Sequence, residues 1–157
     1  MVKPIGIISD THGLLRGEAR GRLQGCDLIL HAGDVGDPGV LDELGRIAKV
    51  VAVRGNMDKG HWANELDEIA YVSVEDKQIC VIHDIDRLDL DPATAGVQVV
   101  VHGHSHKPAI EWVDGVLYLN PGSAGPKRFH LPISMALLFL RPEGIKPEIV
   151  TLQEGLL

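Results

Sequence analysis

Short runs of consecutive apolar residues, each broken by a polar or glycine-containing stretch, set the rhythm of the 157-residue chain. The runs at 5–8, 28–30 and 50–53 are too short for helices and apolar almost throughout, the pattern of strands buried on both faces. Between the first two, residues 14–24 place Leu15, Ala19 and Leu23 at helical spacing before Gly25. Between the second and third, Asp37-Pro38 forms an N-cap and first-turn pair for a helix through Ile47. This β-α-β-α-β order predicts a mostly parallel sheet with right-handed crossovers. From Glu68 the pattern changes, and residues 69–74 and 78–83 flank Glu75-Asp76-Lys77 as an antiparallel hairpin. A brief helix is expected at 91–95, then a strand at 97–101. A second hairpin at 109–113 and 116–119 turns on Asp114-Gly115, and strands at 133–140 and 145–152 close the chain. No repeat, low-complexity tract or linker divides it, so one domain over residues 1–157 is expected.

Five of the strand-like runs end on residues able to bind a metal. Asp10 and His12 follow the first, Asp34 the second, Asn56 the third, and His83 the end of the first hairpin. His104 and His106 follow the run that begins at Val97. Parallel strands of an α/β sheet present their C-terminal ends along one edge, which brings such side chains together although none is near another in sequence. Two carboxylates, an amide and four histidines exceed the needs of one ion. Mixed oxygen and imidazole donors suit a pair of divalent transition ions such as Mn, Zn or Fe.

Other polar residues read more simply. Asp10 alone would serve as well as a helix cap. His31 and His102 lie inside apolar runs and are expected to be hydrogen-bonded structural histidines. His61 and His130 read as loop residues, Asp58 as support for the turn at Asn56, and Lys127 and Arg128 as solvated charges.

Composition narrows the classes. Hydrophobic residues make up 45% of the chain but aromatics only 4%, so the layers must pack on aliphatic side chains. A formal charge of −7 argues against a general nucleic-acid or anionic-membrane binder. It leaves a phosphorylated substrate open, because bound cations would set the local field. Cys26 and Cys80 form no CxxC and read as buried reduced thiols. With no leader-type N-terminus and no run of about 18 apolar residues, a cytoplasmic protein is expected. No dinucleotide fingerprint, Walker A sequence or nucleophile elbow is present.

The blocks Asp10-Thr11-His12, Gly33-Asp34, Gly55-Asn56-Met57-Asp58, His83 and Gly103-His104-Ser105-His106, in this order, resemble those of calcineurin-like metallophosphoesterases. With Asn120-Pro121-Gly122-Ser123 added, the chain is most similar to the small bacterial and archaeal phosphodiesterases that also resemble the retromer subunit Vps29. The resemblance implies an α/β fold, an αββα sandwich of two mixed β-sheets flanked by helices. It implies one metal held by Asp10, His12, Asp34 and His106 and another by Asp34, Asn56, His83 and His104, with catalytic roles for Asp34, Asn56 and His104. The implied reaction is hydrolysis of a phosphodiester in a small phosphorylated substrate by a hydroxide bridging the two ions. Manganese is the expected metal, with zinc, iron, nickel or cobalt as alternatives.

The competing readings are a phosphomonoesterase and a non-catalytic interaction scaffold of the Vps29 type. A full set of seven ligand residues favours a catalyst, since a scaffold could lose any of them without penalty. No membrane partner is expected, and self-association through an exposed face or edge strand is left open. Two departures from the family pattern stand out. Met57 occupies a place where larger members carry histidine, so help for the leaving group is missing there and good leaving groups are favoured. Asp84-Ile85 follows His83 where Gly-His is usual, which changes the loop beyond that ligand.

Overall fold

The computed structural model describes residues 3–153. Two five-stranded mixed sheets pack face to face. The first contains β1 (Ile5–Ile8), β2 (Leu28–His31), β3 (Lys49–Ala52), β9 (Ser134–Arg141) and β10 (Gly144–Thr151), in the order β10-β9-β1-β2-β3. The second contains β4 (Ile69–Val74), β5 (Lys77–Ile82), β6 (Val99–Val101), β7 (Ala109–Val113) and β8 (Val116–Asn120), in the order β4-β5-β6-β8-β7.

Within the first sheet β1, β2 and β3 run parallel, with Ile8 opposite His31 and His31 opposite Ala52, so the three strands end level with one another. In the second sheet β5 and β6 are also parallel, with Val81 opposite Val101. The antiparallel pairs lie at the sides, where β9 and β10 flank β1 and the hairpins β4–β5 and β7–β8 complete the second sheet.

Aliphatic side chains fill the space between the sheets. Ile7, Leu30 and Ala136 of the first sheet meet Val81, Val101 and Leu119 of the second in one buried cluster. The alternate residues of the same strands face outward. Ile8, Ile29 and Met135 are covered by α1 (Gly17–Leu23) and α2 (Pro38–Gly45) through Ala19, Leu23, Val40 and Leu44. Burial of both faces explains why these strands read as continuous apolar runs rather than alternating ones.

The second sheet has a thinner cover. Cys80 and Val100 are overlain by Ile85 and Leu88, from a segment whose only helical element is a 3-10 turn at Ile85–Arg87. The helix expected at 91–95 is a single loop of turns, in which Ala95 N donates to Asp91 O at 3.0 Å and Val97 N to Pro92 O at 2.9 Å. Gly96, at φ 78°, ends it before a second turn can form.

Other differences are local. The first helix starts at Gly17 rather than Leu14, because Arg16 is extended and its guanidinium donates to Gly125 O at 3.2 and 3.3 Å. His61 is no loop residue but opens a short helix, α3 (His61–Asn64), too brief to leave a periodic signal in the sequence. Cys26 and Cys80 are buried and unpaired, and burial pushes both thiols up, Cys80 to about 11. No helix among the described residues is long and apolar enough to cross a membrane.

Candidate metal centre

Five loops, each leaving the C-terminal end of β1, β2, β3, β5 or β6, meet where the edges of the two sheets adjoin. All seven side chains expected to bind metal come together there. Asp10 Oδ1 lies 3.3 Å from His106 Nε2, 3.9 Å from His12 Nε2 and 4.0 Å from His83 Nε2. Asp34 Oδ2 lies 3.3 Å from His83 Nε2 and 3.8 Å from His12 Nε2, so it faces both groups of histidines. Asn56 Oδ1 is 2.9 Å from His83 Nε2 and 3.2 Å from His104 Nδ1. Asp10, His12 and His106 form one cluster that could hold an ion, and Asp10, Asp34 and His83 a second.

Each carboxylate is half committed to the protein. Asp10 Oδ2 accepts from Ser9 Oγ at 2.7 Å and from the His104 amide at 3.1 Å. Asp34 Oδ1 accepts from the Met57 amide at 2.9 Å. The remaining oxygens, Asp10 Oδ1 and Asp34 Oδ2, point into the space between the histidines. Asp10 Oδ1 and His12 Nε2 are buried and have no hydrogen-bond partner among the described residues. A buried anionic oxygen and a buried ring nitrogen left without partners cost a few kcal/mol, unless a cation takes their lone pairs. On this ground the donor set fits divalent metal ions.

Protonation follows the same geometry. Burial alone would raise Asp10, but the His106 ring beside it, the hydrogen bond from Ser9 and the nearby His83 outweigh it and hold the carboxyl below its ordinary value. Asp34 is likewise opposed by burial yet held low by His83 and the Met57 N–H. Burial pushes His12 down; Asp34 and Asp10 oppose that push, and the charge of Arg128 reinforces it. His83 goes the other way: burial would lower it, but the hydrogen bond with Asp34 and the charges of Asp10 and Asp34 raise it overall. Its Nδ1 lies 2.7 Å from Ala32 O and must donate there, which turns Nε2 toward the carboxylates.

The backbone around the centre is unusual. Asp10, His12, Asp34, His104 and His106 all have positive φ, between 47° and 72°. Only a few per cent of non-glycine residues adopt this left-handed conformation, and Asp, Asn and His tolerate it best. Nothing in the sequence announces it.

Several supporting residues were readable only in part. Asp58, expected to support the turn, accepts from the amides of Val35, Gly36 and Gly55 at 3.2, 2.9 and 2.9 Å and ties the β2 and β3 loops together. Asn120 donates to Gly103 O and Ser105 Oγ, both at 3.1 Å, fixing the loop that carries His104 and His106. Ser123 Oγ donates to Asp10 O at 3.0 Å. His31 is fully buried between Thr11 Oγ1 and the Gly33 amide, as a structural histidine. Ser9 was missed, its one signal being a hydroxyl residue directly before Asp10. Lys127 Nζ donates to Leu131 O at 3.4 Å.

A cleft of about 280 Å³ opens beside Asn56 and His83 and runs between β4 and the segment after β5. Tyr71, 57% exposed, stands on one wall. No sequence pattern pointed to it, because its walls come from stretches that meet only in the fold.

A family model described as "Calcineurin-like phosphoesterase superfamily domain" matches residues 4–142. A probable metallophosphoesterase of Methanocaldococcus jannaschii is 40% identical over 146 residues, covering 85% of this chain and 74% of that protein. Among solved structures, an archaeal phosphodiesterase superposes with a TM-score of 0.80 at 24% identity, covering 95% of this chain and 99% of that one. Vps29 of Entamoeba histolytica, in complex with Zn2+, superposes with a TM-score of 0.70 at 23% identity, covering 94% and 98%.

Proposed function

Since the chain belongs to the calcineurin-like phosphoesterase superfamily, we propose that it is a phosphodiesterase working with two divalent metal ions, manganese foremost. The observation that carries this reading is the pair of buried, unpartnered donors Asp10 Oδ1 and His12 Nε2, facing Asp34 Oδ2 and the His83 ring. Asp10, His12 and His106 would hold one ion and Asn56, His83 and His104 the other, with Asp34 shared. When bound, the ions would supply Lewis-acid activation of water and of the phosphoryl oxygens.

The chain's own residues prepare that chemistry. Ser9 and the amides of His104 and Met57 take one oxygen from each carboxylate, so the other is aimed inward without further rearrangement. Asp10 and Asp34 are held anionic and His12 neutral at neutral pH, which are the forms that bind a cation. His104 stands at the exposed rim, where it could meet a phosphoryl oxygen. The Met57 side chain, 58% exposed, supplies no proton to a departing alkoxide, so aryl esters with good leaving groups should turn over best.

The test is hydrolysis of bis(p-nitrophenyl) phosphate beside p-nitrophenyl phosphate by metal-stripped protein, with Mn, Zn, Fe, Ni or Co restored in turn. The diester should be cleaved with the higher kcat/KM, and Asp34→Asn should lower that value by about 100-fold or more. Preference for the monoester would make the protein a phosphomonoesterase. The scaffold reading has its own support in the Vps29-like fold and in Ile110, Trp112 and Val113, which are exposed on edge strand β7. Two ions bound per chain, with turnover no better than that of Asp34→Asn, would establish it instead.

A further inference from the structure

Resting on the phosphodiesterase reading, we propose that the cleft beside Asn56 and His83 receives one ester arm of the substrate, and that this arm is a flat, uncharged aromatic ring. The cleft is continuous with the centre, since Asn56 and His83 line both. A phosphoryl group held between the histidines would therefore direct one of its substituents into it. At about 280 Å³ the cleft has room for a ring system and not only a methyl or glyceryl group.

Its walls say what kind of group fits. Tyr71 projects from β4 and keeps more than half its surface exposed, although the chain has only two tyrosines and aromatics are 4% of its residues. Ile69 and Ile82, paired across β4 and β5, and Leu90 on the far side add apolar surface. A planar ring stacked on Tyr71 between these side chains would bury the exposed aromatic face.

Charge limits the choice further. Arg54 is occupied by Glu68, with Nη2 3.3 Å from Oε1. Arg87 on the rim is outnumbered by Asp84 and Asp89. Among the cleft's own side chains no positive surplus remains to meet a second phosphate or a carboxylate, so a neutral arm is favoured over an anionic one.

Three inert phosphonate monoesters, each with a singly charged phosphonate group, test this: methyl phenylphosphonate, methyl methylphosphonate, and the phenyl compound with an added, ionised 4-carboxylate. Binding to the manganese-loaded protein is read by calorimetry, so no turnover is needed. The phenyl compound should bind about tenfold or more tightly than the methyl compound, and the carboxylated ring should lose most of that advantage. Tyr71→Ala should bring the phenyl and methyl affinities within about twofold, while Tyr71→Phe should keep them apart. Tyr71 is exposed, so both variants are expected to fold. Equal binding of phenyl and methyl compounds, or a preference untouched by Tyr71→Ala, would overturn the assignment of the cleft alone. Failure of all three to bind, together with absent hydrolysis of bis(p-nitrophenyl) phosphate, would remove the phosphodiesterase reading as well.

Discussion

His31 shows how much one side chain can be read from its neighbours. The Gly33 amide donates to Nδ1 at 3.1 Å, so that nitrogen carries no proton, and Nε2–H must donate to Thr11 Oγ1 at 3.0 Å. Thr11 in turn donates to Val35 O at 2.9 Å. The ring is thus neutral with one fixed tautomer, and burial pushes its pKa down to about 4 despite the attraction of Asp10 and Asp58. With the folded value below the ordinary 6.5, the unfolded chain takes up the proton first. The contribution of His31 to stability is therefore complete above pH 6.5 and lost as pH falls toward 4, a change of about 3 kcal/mol. Urea unfolding of metal-free protein at pH 7 and pH 4 should show the wild type losing about that much more than His31→Gln. Parallel losses would contradict it. At this scale the sequence was most legible for residues whose chemistry is rare: a carboxylate or imidazole straight after an apolar run. Donors supplied by the backbone, such as the Met57 N–H on Asp34, leave no trace in residue identity.

The elements themselves were legible wherever burial imposes a pattern. Apolar runs located the strands to within a residue or two, and Asp37 does cap the second helix, its carboxylate accepting from Gly39 N at 2.7 Å. What stayed hidden was how closely the connecting loops pass each other. A Cβ on Gly55 would run into the amide and carboxylate of Asp34, and one on Gly103 would meet Asp10 Oδ2 at 2.6 Å. Both glycines sit just before a candidate ligand and let two loops touch at the centre. Gly55→Ala should therefore displace Asp34, cost about 1–3 kcal/mol, and lower phosphodiester kcat/KM by about tenfold or more. Gly21→Ala in α1, where nothing lies within 4 Å of the new Cβ, should leave activity unchanged and raise stability by up to about 1 kcal/mol. Thermal melts and initial rates on the two variants decide the matter; equal effects would mean that loop spacing is not what places Asp34.

Across the whole molecule, the two sheets share a dry interior while their common edge concentrates like charges and unpartnered donors. Metal ions should therefore stabilise the fold as well as act in it. At manganese 100 times above its dissociation constant, the gain is about 2.7 kcal/mol, or roughly 5–10 °C in Tm for a chain of this size. The gain should shrink in acid. Because His83 is raised above the ordinary histidine value, its protonated form adds stability to the metal-free protein at low pH and loses it as pH rises, and an incoming ion must displace that proton. Melting curves with manganese or with chelator at pH 6 and pH 8 would show this, and a shift that grows toward pH 6 would refute it. The face-to-face sheets were legible only through the resemblance, since run lengths and hairpins by themselves gave strands and their local pairing. The left-handed backbone at Asp10, His12, Asp34, His104 and His106 was not. Its consequence bears on which residue suits each position. Glycine would occupy each of these positions with less backbone strain, a difference on the order of 1 kcal/mol apiece. Exchanging any of them for glycine would relieve the backbone at that position and remove a donor from the edge of the sheets. Here all five are aspartate or histidine, so the side chains that suit the edge of the sheets and the residue that would suit its backbone best are not the same.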